Sequence, residues 1–99
     1  METMAAEEFI ITAHPEPKKP GARVEKSKYD LIRNAIVEKL QTHKRLTFEK
    51  LGNMLEDQLL KKFDGSLMWY YTTVKLDMEA RGEIRRVPNT EPQMIEMAI

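Results

Sequence analysis

Ninety-nine residues allow one domain, because chains of this length rarely divide into two cores. The composition, 41% hydrophobic and 32% charged, is globular rather than disordered. Sixteen basic residues balance sixteen acidic ones, so no global field recruits nucleic acid, and the absence of cysteine excludes disulfides and thiolate metal sites.

The charge is unevenly laid out. Residues 1–13 carry three acids and no base, 14–50 ten bases against five acids, and 51–99 six bases against eight acids. No run of about 18 apolar residues is present, so no membrane span is expected. The stretch Phe9-Ile10-Ile11 is too short for a signal-peptide core. A cytoplasmic location is the resulting expectation.

Residues 1–26 hold Pro15, Pro17 and Pro20, followed by Gly21, which forbids a continuous helix and favours extended backbone. They are expected to form an extended arm. Within it, Phe, Ile and Thr over residues 8–13 suit a short strand that docks on the body or on a partner chain.

Ser27 with Asp30 three residues on resembles a capping box, so a first helix is expected over 28–42. Tyr29, Ile32, Ile36 and Leu40 form its apolar stripe, with Leu31, Ala35 and Val37 off that stripe. Thr47 is a good N-cap for a second helix over 48–60, with Leu46 stapling onto Leu51. Phe48, Leu51, Leu55 and Leu59 make its buried stripe. Gly52 in that interior costs about 1 kcal/mol against Ala, and a close helix–helix approach is the simplest compensation.

Ser66 caps a third helix over 67–81, ended by Gly82 as left-handed terminator. Leu67, Tyr70, Tyr71, Val74 and Met78 share its core face, while Trp69, Thr72, Leu76 and Ala80 lie on the other side. Tyr70 and Tyr71 read as core rather than as stacking platforms for single strands. After Gly82, strands are expected at 83–87 and 93–98 around the turn Pro88-Asn89-Thr90-Glu91-Pro92. The fold class is therefore α+β, three helices followed by a two-stranded hairpin, with an arm at 1–26 and the folded domain at 27–99.

Residues 74–87, opening Val74-Lys75-Leu76 and closing Arg81-Gly82-Glu83-Ile84-Arg85-Arg86-Val87, join a helix to a strand through Gly. This junction resembles that between recognition helix and wing in a winged helix-turn-helix domain, over residues 27–98. More narrowly, the chain is similar to a small uncharacterised bacterial family. It shares Lys28-Tyr29, Gly65-Ser66, Trp69-Tyr70-Tyr71, the 74–87 segment and Pro92-Gln93. That family brings no activity with it.

The winged-helix resemblance implies a transcriptional regulator that binds double-stranded DNA, commonly as a homodimer on two half-sites. Its recognition helix would present Ser66, Met68, Trp69, Thr72, Thr73 and Lys75, and its wing Arg85, Arg86 and Asn89. Lys18, Lys19 and Arg23 of the arm would add phosphate contacts. Against this, residues 66–75 contain no Arg, Asn or Gln, the side chains that most often read base edges, and the turn carries Glu91. The alternative is a winged-helix protein-interaction module, favoured by zero net charge and the apolar strip of Trp69 and Leu76.

An enzyme is not expected. His14 and His43 stand far apart with no ligand pattern around either, and Ser27 and Ser66 are explained by capping. Glu7-Glu8 and Glu56-Asp57 are adjacent and point apart on a helix, and no Gly-rich phosphate loop is present. No cofactor, metal or small-molecule ligand is suggested.

Overall fold

The computed structural model describes residues 8–98. In chain order these form strands β1 (Phe9–Ile11) and β2 (Arg23–Glu25), helix α1 (Lys26–His43), strand β3 (Arg45–Thr47) and helix α2 (Phe48–Leu59). A 3₁₀ turn (Leu60–Lys62), helix α3 (Leu67–Ala80) and strands β4 (Ile84–Val87) and β5 (Met94–Met97) follow. The two sheets are antiparallel: a β1–β2 ribbon and a three-stranded sheet in the order β3-β5-β4. The molecule is a small α+β domain with three helices.

Helix α1 buries Tyr29, Ile32, Ile36 and Leu40, the stripe its spacing predicts, together with Ala35. Its start differs from the expectation. The N-cap is Glu25, whose side chain makes no cap, and Ser27 lies inside the first turn. Tertiary pairing explains this. Strand β2 feeds directly into α1, and the Lys26 N–H donates to the Glu8 carbonyl (2.8 Å), so the ribbon takes over part of the capping task.

Helices α2 and α3 begin where their caps predict. The Thr47 hydroxyl accepts the Lys50 N–H (3.1 Å), and the Ser66 hydroxyl accepts the Trp69 N–H (3.2 Å). Helix α3 ends in a Schellman motif. Gly82 takes φ of 77°, its N–H reaches the Glu79 carbonyl, and the Glu83 N–H reaches that of Met78.

Strand β3 is an element the sequence did not announce. Leu46 is buried in the core, but from a strand paired opposite Ile95 rather than from a loop stapled onto α2. Residues directly opposite share a sheet face. Leu46, Ile95 and Ile84 therefore face the core, while Arg45, Glu96 and Arg85 form a row on the outer face. At the hairpin turn, the Thr90 hydroxyl and the Gln93 amide both donate to the Val87 carbonyl, at 3.0 and 2.7 Å.

The described part of the N-terminal segment packs on the body. Val24 is buried in the core, and the loop between β1 and β2 is closed at its base. There the Thr12 N–H donates to the Ala22 carbonyl and the Ala22 N–H to the Thr12 hydroxyl, both at 2.8 Å. Among the described residues, no helix is long and apolar enough to cross a membrane.

Candidate functional site

The exposed end of α3 brings together five of the residues singled out above. Ser66, Met68, Trp69 and Thr72 are exposed and Thr73 is half-buried. Trp69 is 48% accessible and Met68 40%, a high exposure for such large apolar groups. Tyr71, by contrast, is fully buried, stacks on Phe48 with ring centroids 4.6 Å apart, and donates its hydroxyl to the Phe48 carbonyl (2.7 Å). Burial pushes the Tyr71 hydroxyl far above its ordinary pKa. Tyr70 is half-buried, edge-on to Phe63 at 5.2 Å.

Lys75 is not on the outer side, where the sequence reading placed it. It is 8% accessible, and its ammonium sits 2.6 Å from Glu79 and 5.5 Å from the centre of the Phe48 ring. Helix α3 is packed around much of its circumference, so position 75 turns toward α2 with its aliphatic stem buried. It cannot meet a duplex without breaking that ion pair.

The two hairpin arginines point to opposite faces, as alternation along β4 requires. Arg86 reaches back to Glu79 on α3 (3.2 Å), the carboxylate that also holds Lys75. Arg85 pairs with Glu96 (2.6 Å), which Arg45 approaches from β3 (3.0 Å). Asn89 is exposed at the turn with φ of 62°, a conformation Asn tolerates better than most residues. Arg85, Arg86 and Asn89 thus stand apart from the α3 cluster and form no continuous basic surface.

Hydrogen bonds from Arg85 and then Arg45 hold the Glu96 carboxyl below its ordinary pKa of 4.5. A depressed folded-state pKa stabilises the fold above the unfolded value, and the contribution disappears as pH falls through the folded one. A Glu96→Gln variant should therefore be less stable than wild type near neutrality. The gap should shrink below pH 4.5, read from urea midpoints on both sides of that value. An unchanged gap would remove this row from the pH response.

Asp77, one of the charged residues of α3, lies at the centre of the structure. It is fully buried, accepts the Ala13 N–H (2.7 Å) and the Arg81 guanidinium N–H (2.8 Å), and takes a short hydrogen bond from the Tyr29 hydroxyl. The signal available was its spacing: three residues after Val74 and six after Tyr71, it falls on the core side of α3. Beside it, Arg33 forks onto Glu83 at 3.0 and 3.2 Å, tying α1 to the start of the hairpin.

Through Ala13 the N-terminal loop crosses α3. It leaves a cleft of about 210 Å³ walled by Trp69, Thr73 and Leu76 on one side and the loop on the other. The strip of Trp69 and Leu76 therefore meets the arm. Among the described residues, no cluster of three His, Asp or Glu side chains could hold a metal ion.

Three helices, an antiparallel ribbon and a three-stranded sheet closed by a C-terminal hairpin define a small α+β domain. Residues 9–95 match the model of a family described as "Family of unknown function (DUF6958)", and the chain belongs to that family. No curated protein and no solved structure matches it.

Proposed function

We propose that the chain is a winged-helix protein-interaction module, with the exposed apolar end of α3 as its contact face. The winged-helix class is favoured by the succession α1, α2, α3 and then the β4–β5 hairpin as the wing. Strands β1 and β2 before α1, and β3 between α1 and α2, are strands that the expected order of three helices and a hairpin lacks. One observation carries the choice of function. Each base that DNA binding would need on α3 and the wing is already held by a carboxylate, Lys75 and Arg86 by Glu79 and Arg85 by Glu96. Met68 and Trp69 stand exposed instead, the kind of large apolar groups that anchor protein interfaces. A second copy of the chain is the first partner to test, since Phe9 and Ile11 also leave the outer face of β1 apolar.

A second reading, weak duplex binding through phosphates, is favoured by the exposed Lys50, Lys61 and Lys62 on α2 and the turn before α3. Among the described residues, none of these three is paired with a carboxylate. Fluorescence anisotropy against random duplex at about 50 mM salt separates the two readings. The interaction module predicts no binding, and sedimentation of the chain alone at high micromolar concentration should show a species heavier than 11.6 kDa. Duplex affinity with a log–log salt slope of roughly −4 to −5, weakened by Lys50→Ala, Lys61→Ala or Lys62→Ala singly, would replace it with the DNA-binding regulator.

A further inference from the structure

We propose that the cleft between α3 and the loop joining β1 to β2 binds a small, uncharged, ring-sized ligand that presents a hydrogen-bond acceptor. The inference stands apart from the interaction reading, because it asks for no partner protein.

Size comes first. A volume of about 210 Å³ lies below the roughly 300–1,000 Å³ of pockets for drug-sized molecules, which leaves room for a single ring with a short substituent. The walls suit such a ring. Trp69 and Leu76 supply apolar surface from α3, and Pro20 and Ala22 supply it from the loop.

Polarity comes second. His14 on the rim accepts the Glu16 N–H at Nδ1 (3.0 Å), so its ring proton sits on Nε2, a donor. Trp69, which carries an indole N–H, and Thr73, which carries a hydroxyl, are also among the lining residues. Among the described residues, none of these three groups has a hydrogen-bond partner. Two ring donors and a hydroxyl among the lining residues favour a ligand carbonyl over a ligand donor.

Charge comes third. No Asp, Glu, Lys or Arg lines the cleft, so a charged ligand would lose hydration without meeting an opposite charge. The cleft is also already formed. Ala13 is pinned to the buried Asp77, and Thr12 to Ala22, so the loop needs no further ordering to bind.

The test is a ¹H–¹⁵N titration of the full chain with benzamide, and in parallel with benzoate, its charged isostere. Trp69 is the single tryptophan, so its indole N–H resonance is unambiguous. Benzamide should give saturable shifts at Trp69, Thr73 and Ala13 with a Kd of about 5 mM or tighter. Benzoate should bind at least about tenfold more weakly. Thr73→Phe, which fills the cleft, should abolish the saturable shift while the spectrum stays dispersed. His14→Ala, at the half-exposed rim, should weaken benzamide severalfold and serves if Thr73→Phe does not fold. Shifts that remain linear to about 20 mM benzamide would overturn the proposal. So would equal binding of benzoate, or wild-type affinity in a folded Thr73→Phe or His14→Ala variant.

Discussion

An Asp77→Ala variant is expected to lose about 2–3 kcal/mol of unfolding stability, chiefly the cost of leaving a buried donor without its acceptor. The truncation strands three groups at once. The Tyr29 hydroxyl loses its acceptor inside the protein, the Ala13 N–H loses its own at a partly exposed site, and the Arg81 guanidinium loses its carboxylate. A domain of this size has a total stability of order 5–10 kcal/mol, so urea should unfold the variant at a far lower midpoint. The partners should each cost less. Tyr29→Phe removes one hydrogen bond and leaves Asp77 with two donors, for about 1 kcal/mol. Arg81 is half exposed at its side chain, so Arg81→Ala should cost at most about 1 kcal/mol. Asp77→Ala within about 1 kcal/mol of wild type would mean that this network does not hold the fold.

The same network has a consequence at high pH. Burial, and after it the hydrogen bond to Asp77, raise the Tyr29 hydroxyl well above its ordinary pKa of 10.0. A group whose folded pKa is raised stabilises the fold below the unfolded value, and that stability is lost as pH rises through the folded one. Wild-type stability should therefore fall above pH 10.0, and Tyr29→Phe should make that decline shallower.

The second large effect is expected at Gly52. A Cβ placed there would lie 2.9 Å from the Tyr71 ring and 3.4 Å from the Met68 methyl. The Tyr71 ring cannot swing aside cheaply, because it is stacked on Phe48 and hydrogen-bonded to its carbonyl. A Gly52→Val variant forces α2 and α3 apart and should lose about 2 kcal/mol. Gly52→Ala should lose less, because the clash is smaller and Ala recovers about 1 kcal/mol of helix propensity. Urea midpoints in the order wild type, Ala, Val check the mechanism; a Val variant as stable as wild type would show that the helices have room to give.

The close approach at Gly52 was legible in the sequence because a glycine inside an apolar helical stripe needs a local reason. So were the caps at Thr47 and Ser66, the terminator at Gly82 and the core stripe of α1. Each is set by neighbours within about four residues, the range over which helix geometry is decided. The C-terminal hairpin belongs with them, since Pro88-Asn89 marks a turn between two runs of strand-forming residues. For these elements, local chemistry and the tertiary structure agree.

The site on α3 was legible only in part. Its exposed end could be read from periodicity, and so could the i,i+4 pair of Lys75 with Glu79, but whether Arg85 and Arg86 are free could not. Lys75 and Arg86 converge on Glu79 because β4 lies back along α3, while Arg85 and Arg45 converge on Glu96 because β5 is the central strand. The Lys75–Glu79 pair is an i,i+4 contact that helix spacing does encode, but no spacing along the chain encodes how close Arg86, Arg85 and Arg45 come to their carboxylates.

Sequence alone determined the three helices, the caps of α2 and α3, the terminator of α3 and the hairpin, because those rest on hydrogen bonds closed over a few residues. Tertiary structure alone decided the strand at Arg45–Thr47, the start of α1 at Glu25 and the burial of Asp77. Three residues with one apolar side chain form a strand only when β5, some fifty positions later, supplies the other half of the ladder. Asp77 can be buried only because Ala13 and Tyr29, 64 and 48 positions away, bring the donors that replace its water.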